Sequence, residues 1–284
     1  MKLACLALSL ALAAGCTGAT EPPHEKPPAI DVDRMPSWNP DGTRIVYKHG
    51  WDILRILDLT TGQTTDIGQG FEPKWSPDGR AIAYAGEDGI RIHDVTTGVD
   101  SVLHRNDPYG PGRSPAWSWD SRWLAIELPA DSVALGSHVM LLEVATGTRV
   151  DLGSDYAMQP CWMPGDSALI LAAGFPDGRM NLAMLNLRTH MLTRLRQGDT
   201  ADREPAISPE GQRIAWLEMA DQPGIHIMPV GGGFNVLIAP FGQDAAWSAD
   251  GARIAYTGYN SDSNTYTLWT MRPDGTDKVR LTAP

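Results

Sequence analysis

A seven-residue phrase occurs six times along the chain, and this repetition limits the possible folds more than any other sequence feature. Its copies are PSWNPDG at 36–42, PKWSPDG at 73–79, PAWSWDS at 115–121, PCWMPGD at 160–166, PAISPEG at 205–211 and AAWSADG at 245–251. Measured at the tryptophan position, successive copies are 37, 42, 45, 45 and 40 residues apart. A period of about 40–45 residues is the length of one β-propeller blade with four strands.

The segments after each phrase predict the remaining strands of a blade. Each copy is followed by a continuous apolar run, at 44–47, 81–84, 123–126, 169–171, 213–216 and 253–256. A strand covered on both faces has such a run, and a blade packed between two neighbours is covered on both faces. Third strands are predicted at 53–58, 90–94, 139–143 and 182–186, and short fourth strands at 150–152, 192–195 and 279–282.

These patterns predict an all-β fold, a six-bladed β-propeller with four antiparallel strands per blade over residues 30–284. Stacking six sheets around an axis buries their faces and closes the ring. A strand from residues 29–33 could join the two ends of the chain. The motif tryptophans, Trp38, Trp75, Trp117, Trp162 and Trp247, are expected to pack between blades. The Asp residues of the turns, among them Asp41, Asp78 and Asp274, are expected to hydrogen-bond their own backbone rather than bind calcium.

The phrase Pro-x-Trp-Ser-Pro-Asp-Gly followed by Ile-Ala-Tyr resembles the WD40-like propeller repeat of the TolB family. The resemblance covers roughly residues 35–284 and is weakest in the fourth copy, where Gly165-Asp166 inverts the turn. It implies a six-bladed propeller that binds other proteins. The implied location is the bacterial envelope, either in the periplasm or at the outer membrane. TolB itself is soluble and has an additional N-terminal α/β domain, which the 284 residues do not contain. The fold therefore carries over, whereas the particular role of TolB does not.

The N-terminus is predicted to be a targeting signal rather than part of the fold. Residues 1–15 have one basic residue, a 12-residue apolar stretch and small residues, and Cys16 follows. This resembles a bacterial lipoprotein signal, which implies that Cys16 carries a lipid. The alternative is a plain secretory signal peptide. Residues 16–29, polar and rich in proline after Cys16, are predicted to form a flexible tether. The expected location is the bacterial cell envelope, with a membrane contact through the lipid only.

The net charge of −11 argues against nucleic acid as a partner, because phosphate binding needs clustered Lys and Arg. No Gly-x-Ser-x-Gly, Walker or His-Glu-x-x-His motif occurs in the sequence. The seven histidines lack ligand-like spacing, and His93 and His226 are interpreted as structural. Cys161 is interpreted as a small buried apolar residue. The sequence thus predicts no enzyme, no metal, no cofactor and a monomer. A metal-assisted, polysaccharide-acting propeller enzyme, lyase or hydrolase, remains the alternative.

The predicted partner-binding face is formed by the loops that lead into the first strand of each blade. Aromatic and charged residues occur there, and exposed aromatic residues anchor partners at interfaces. These candidates are Phe71, Glu72, Tyr109, Arg113, Tyr156, Gln159, Asp202, Glu204, Phe241 and Asp244. In the other interpretation the aromatics close the blade ends and the acids are merely solvated. The predicted function is noncovalent binding of an envelope protein or a cell-surface glycan, with a structural scaffold as a second alternative.

Overall fold

A computed structural model describes residues 32–106, 110–129, 137–153, 157–221, 223–261 and 263–283. The predicted leader at 1–15, the tether at 16–29 with Cys16, and Tyr109 and Tyr156 lie outside these residues. The described chain is all-β and contains six four-stranded antiparallel sheets. None of its described segments forms a helix that is long and apolar enough to cross a membrane.

Each sheet is one blade, and its four strands follow one another in chain order. Blades 1 to 3 contain β1 (Asp33–Trp38), β2 (Arg44–His49), β3 (Ile53–Asp58), β4 (Thr64–Gln69), β5 (Phe71–Trp75), β6 (Ala81–Gly86), β7 (Gly89–Asp94), β8 (Asp100–Arg105), β9 (Arg113–Trp117), β10 (Trp123–Pro129), β11 (Ser137–Glu143) and β12 (Arg149–Asp151). Blades 4 to 6 contain β13 (Ala157–Trp162), β14 (Ala168–Gly174), β15 (Met180–Asn186), β16 (Leu192–Arg194), β17 (Ala201–Ile207), β18 (Arg213–Met219), β19 (Gly224–Pro229), β20 (Val236–Pro240), β21 (Gly242–Trp247), β22 (Ile254–Asn260), β23 (Thr265–Met271) and β24 (Val279–Arg280).

The first strands of the six blades contact one another in a ring and line a central channel. This confirms the six-bladed propeller predicted from the repeats. The second strands are buried almost throughout, as in β6 and β14, because neighbouring blades cover both of their faces. The core therefore consists of apolar clusters between adjacent blades, such as the one that joins blades 3 and 4 around Leu169 and Trp162.

The antiparallel order gives the propeller two different faces. The connections between second and third strands, and those from one blade to the next, lie together on one side, which we call the loop face. The tight turns between first and second strands and between third and fourth strands lie on the opposite side, which we call the turn face. The Asp-Gly turns predicted from the sequence belong to the turn face, and their Asp carboxylates accept backbone hydrogen bonds, as Asp78 does from Arg80 N–H at 3.1 Å.

The ring closes without a shared blade in the described residues. The sixth sheet contains only β21 to β24, and Asp33 begins β1 of the first blade. Of the segment 29–33 considered for closure, residues 29–31 lie outside the described chain. The seam between blades 6 and 1 is held by side chains: Met35 N–H donates to Thr257 Oγ1 at 3.2 Å, and Trp38 Nε1 donates to the carbonyl of Ala246 at 3.2 Å.

Candidate functional site

One residue from each blade lines a small cavity of about 100 Å³ in the channel. These residues are Met35, Glu72, Ser114, Gln159, Glu204 and Asp244, and each has a positive φ between 51° and 59°. Each lies at a β-bulge in the first strand of its blade, and in five blades a proline follows. Because proline has no N–H group, it needs no ladder partner within the bulge. We call this set the bulge ring.

The side chains of the bulge ring connect four of the six pairs of neighbouring blades in the described chain. Glu72 accepts a hydrogen bond from Ser114 N–H at 2.5 Å, and Gln159 Oε1 accepts one from Glu204 N–H at 3.0 Å. Glu204 in turn accepts from Asp244 N–H at 2.8 Å. Asp244 accepts at 3.4 Å from Met35 N–H, in blade 1. These bonds satisfy the N–H groups that the bulges remove from the sheets.

Between blades 3 and 4 the connection uses a second-strand residue. The Ser114 side chain is short, and Glu127 of β10 instead accepts from Gln159 N–H at 3.2 Å. Sequence reasoning missed Glu127, because it lies inside an otherwise apolar run of β10. Its carboxyl group is 9% exposed, and burial raises its pKa above the ordinary value. Burial, with the nearby Asp244 carboxylate as second cause, raises the pKa of Glu204 to about 7. The ring can therefore bind a proton near neutral pH.

The predicted partner-binding residues occupy three different places. Glu72, Gln159, Glu204 and Asp244 belong to the bulge ring. Phe71, Arg113 and Phe241 lie exposed on the loop face. Asp202 is fully buried instead, where it accepts hydrogen bonds from Arg196, from Trp216 Nε1 and from Leu182 N–H. An Asp at this position supports the blade interior and does not contact a partner.

The arginines at the loop-side mouth of the channel have few partners. Arg113, the first residue of β9, is paired with Glu127 of β10, and its charge opposes the rise that burial causes in the pKa of Glu127. Arg203 Nη1 contacts Met158 Sδ at 2.5 Å, and in the described chain its guanidinium has no carboxylate partner. Arg34, by contrast, donates to Gln243 Oε1 at 2.7 Å and lies 5.3 Å from the centre of the Tyr266 ring.

An apolar depression lies beside this mouth, at the seam between blades 5 and 6. Its volume is about 340 Å³, and its lining includes Met219, Pro223, Phe241 and Tyr259, which we call the apolar loop patch. Met219, Phe241 and Tyr259 are 51%, 52% and 42% exposed. Phe241 also has a φ of 58°, a backbone conformation that bulky residues rarely adopt. The sequence pointed to Phe241 only, because Met219 and Tyr259 lie at the ends of the second strands β18 and β22 and not in a loop that leads into a first strand.

On the turn face the channel widens into a funnel of about 470 Å³. Its wall contains motif tryptophans and turn prolines from around the ring. Trp75, Trp117 and Trp162 are buried between blades as predicted, whereas Trp38 and Trp247 are only partly buried. Cys161 is half-buried in the same wall rather than fully enclosed, and its Sγ accepts from Ile207 N–H at 3.4 Å. Burial raises the pKa of this thiol, which favours the neutral form.

The histidines stand in structural positions. His93 lies in β7, 3.4 Å from Asp100, and His226 lies in β19, 3.3 Å from Glu218. Burial lowers the pKa of His226, so this ring is neutral at neutral pH. Among the described residues, no three His, Cys, Asp or Glu side chains are grouped so that they could hold a metal ion.

Solved structures with the same architecture identify the fold. TolB from Acinetobacter baumannii superimposes with a TM-score of 0.71 at 18% identity, over 88% of this chain and 62% of that protein. A putative TolB from Agrobacterium tumefaciens gives a TM-score of 0.59 at 16% identity, over 89% of this chain and 81% of the other. The fold is a TolB-like propeller. This chain thus spans less than two thirds of the A. baumannii TolB.

The same propeller is found in an enzyme. An oligogalacturonate lyase from Vibrio parahaemolyticus gives a TM-score of 0.60 at 13% identity, over 89% of this chain and 77% of the lyase. No protein-family model matches the sequence, and no curated protein matches it. Because proteins as different as TolB and a lyase share this TolB-like propeller, the function has to be argued from the site.

Proposed function

We propose that this protein is a non-catalytic, TolB-like propeller that binds another protein of the bacterial cell envelope through its loop face, and that a lipid on Cys16 anchors it. Phe241 is the observation that carries the binding proposal. Its apolar ring is half exposed, and its backbone is held in a conformation that is costly for a bulky residue. Such strain typically persists where the surrounding structure and the function require it.

The surroundings of Phe241 suit a protein partner. Met219 and Tyr259 extend its apolar surface across the seam of blades 5 and 6, and Arg203 lies in the first strand of blade 5, next to Glu204 of the bulge ring. Aromatic residues, Met and Arg are enriched in the cores of protein interfaces. Arg203, which has no acidic partner among the described residues, can form a charge-assisted hydrogen bond with a partner's carboxylate. A contact surface of this composition favours binding over catalysis.

The test replaces Phe241 by Gly together with Met219 by Ala. Glycine adopts a positive φ freely, so this variant should be as thermally stable as the parent while losing the apolar surface. Truncating two central interface residues weakens binding at least tenfold. The measurement is quantitative capture of envelope proteins by the tagged full chain in its own cells after crosslinking, with the melting temperature measured in parallel.

The matched control is Met191→Ala with Val236→Ala, two residues that are 64% and 56% exposed away from the loop patch. This control should capture partners as the parent does. Equal capture by the Phe241→Gly/Met219→Ala variant would refute loop-face binding, and loss of capture in the control would favour a scaffold that binds through its rim. Captured material that resists protease digestion would identify a glycan rather than a protein.

A further inference from the structure

The funnel on the turn face is separate from the proposed partner surface and has the dimensions of a ligand site. Its volume of about 470 Å³ lies within the range of about 300–1,000 Å³ that is typical of small-molecule pockets. All the residues that line it belong to the described chain, and the first strands of all six blades contribute.

The wall of the funnel presents mainly carbon surface. The motif indoles and the rings of Pro40, Pro77 and Pro209 surround the opening, together with Trp119. The indole N–H groups are largely used up inside the protein: Trp117 donates to the carbonyl of Lys74 at 3.0 Å, and Trp162 donates to that of Ala116 at 2.9 Å. A ligand in the funnel therefore meets apolar ring surface rather than free indole donors.

A single charge interrupts this surface. Lys74 is the residue before the motif tryptophan of blade 2, and the equivalent residues of the other blades are Ser37, Ala116, Cys161, Ala206 and Ala246. Among the described residues that line the funnel, Lys74 is the only charged one. Its ammonium makes no hydrogen bond or ion pair with the part of the chain that the structure describes.

The acids near Lys74 line a second cavity and not the funnel. Lys74 also borders the small cavity of about 100 Å³ that contains Glu72, Glu204 and Asp244 of the bulge ring. Glu72 and Glu204 accept from N–H groups of neighbouring blades, and burial raises the pKa of Glu204, although the charge of Lys74 is among the smaller influences that lower it. The ammonium of Lys74 is thus the charged group that a ligand entering from the turn face meets first.

We propose that the funnel binds an apolar carboxylate, with the carboxylate on the Lys74 ammonium and an aromatic or aliphatic body against the indole and proline wall. A charge-assisted hydrogen bond fixes the orientation, and burial of the apolar body supplies the affinity. This site is independent of the loop face and adds a small-molecule ligand to a protein-binding propeller.

The experiment compares two probes with the same ring system, 2-naphthoate and the neutral 2-naphthylmethanol. Binding to the full chain in lipid nanodiscs is measured by calorimetry and by tryptophan fluorescence, with empty nanodiscs as the reference. The carboxylate should bind at least tenfold more tightly than the alcohol. Lys74→Met should abolish this difference, Lys74→Arg should retain it, and Lys278→Met, which removes an exposed lysine elsewhere, should leave it unchanged.

Ala206→Phe, which fills the funnel without changing charge, should weaken both probes, and this variant tests the site if Lys74→Met does not fold. The Phe241→Gly/Met219→Ala variant should bind 2-naphthoate like the parent, which separates this site from the loop face. Equal affinities of the parent for the two probes, or a carboxylate preference that survives Lys74→Met, would overturn the proposal. So would unchanged binding to Ala206→Phe, or no binding of either probe at millimolar concentration.

Discussion

Single residues at the turns explain why the repeats can differ in sequence and still form equivalent blades. In four copies a glycine has the positive φ that the turn requires, as Gly79 does at 75°. In the third and fourth copies Ser121 and Asp166 adopt it instead, at 59° and 55°. Both use their side chains to hold the turn of the preceding blade: Ser121 Oγ accepts from Asp78 N–H at 3.1 Å, and Asp166 accepts from Trp119 N–H at 2.7 Å.

Asp166 should therefore stabilise the propeller more than a turn residue normally does. Its second carboxylate oxygen accepts from Asp120 N–H at 3.1 Å. Asp166→Gly keeps the favourable backbone but loses both bonds, and we expect a loss of about 2 kcal/mol in the free energy of unfolding, at about 1 kcal/mol per bond. Asp166→Asn retains one acceptor and should lose about half as much. Denaturant unfolding measures both losses. Equal stability of Asp166→Gly and the parent would show that the two hydrogen bonds of Asp166 to the preceding blade do not stabilise the propeller.

The sequence made the fourth copy look weakest because Gly165 and Asp166 appear in inverted order. A repeat pattern is found by comparing each residue with the residues at the same position in other copies. The role of Asp166 depends instead on a contact with another blade, which such a comparison does not reveal. The same limit applies to Asp202, which sequence position places in a loop-side segment but which is enclosed by Arg196 and Trp216. Strand positions follow from local pattern and could be predicted; contacts between blades could not.

At the scale of elements, the motif tryptophans join neighbouring blades by hydrogen bonds as well as by packing. Trp38, Trp117, Trp162 and Trp247 each donate the indole N–H to a backbone carbonyl in the first strand of the preceding blade. Trp75 differs, because its Nε1 is buried and has no partner among the described residues. The sequence predicted packing between blades from the repetition, but the donor and acceptor of these bonds depend on the twist between adjacent sheets.

This difference allows the hydrogen bond to be measured separately from the packing. Trp162→Phe and Trp75→Phe remove similar ring volume from buried sites that are 4% and 5% exposed. Only Trp162→Phe leaves a carbonyl, that of Ala116, without its indole donor. We expect Trp162→Phe to reduce the free energy of unfolding by about 1 kcal/mol more than Trp75→Phe. Urea unfolding of both variants tests this, and equal losses would assign the role of Trp162 to packing alone.

For the whole molecule, closure depends on side chains at the seam and on the ring in the channel. All six blades are built from consecutive strands, so blade 6 meets blade 1 only through contacts such as those of Met35 N–H with Asp244 and with Thr257 Oγ1, at 3.4 and 3.2 Å. The repeat count predicted the ring, but sequence gave no signal for this seam, since its partners are more than 200 residues apart. The bulge ring continues from this seam into blade 5 through Glu204 and into blade 4 through Gln159.

Glu204 makes the stability of this ring depend on pH. Folding raises its pKa from an ordinary 4.5 to about 7, mainly by burial and secondly through Asp244. The folded state thus binds a proton more tightly than the unfolded chain, and stability from this group falls as pH rises from about 4.5 to about 7. Glu204→Gln stays neutral and keeps an acceptor for Asp244 N–H, so the difference in stability between variant and parent should be smallest at pH 5, the lowest pH measured. At pH 8 the variant should be more stable by about 1–3 kcal/mol, since one pKa unit corresponds to about 1.4 kcal/mol.

Burial also raises the pKa of Glu127, so the quantity to measure is the difference between variant and parent, not either curve alone. Guanidinium unfolding at pH 5, 6, 7 and 8 gives this difference, with Glu87→Gln as the control because Glu87 is exposed on the loop face. The control should stay parallel to the parent across the range. If Glu204→Gln also stays parallel, the carboxyl of Glu204 is ionised in the folded ring throughout, and the proton-binding role of the channel is wrong. A difference that grows between pH 5 and about 7 and then levels off would mean that the acids between blades 5, 6 and 1 stabilise the ring most when Glu204 is neutral.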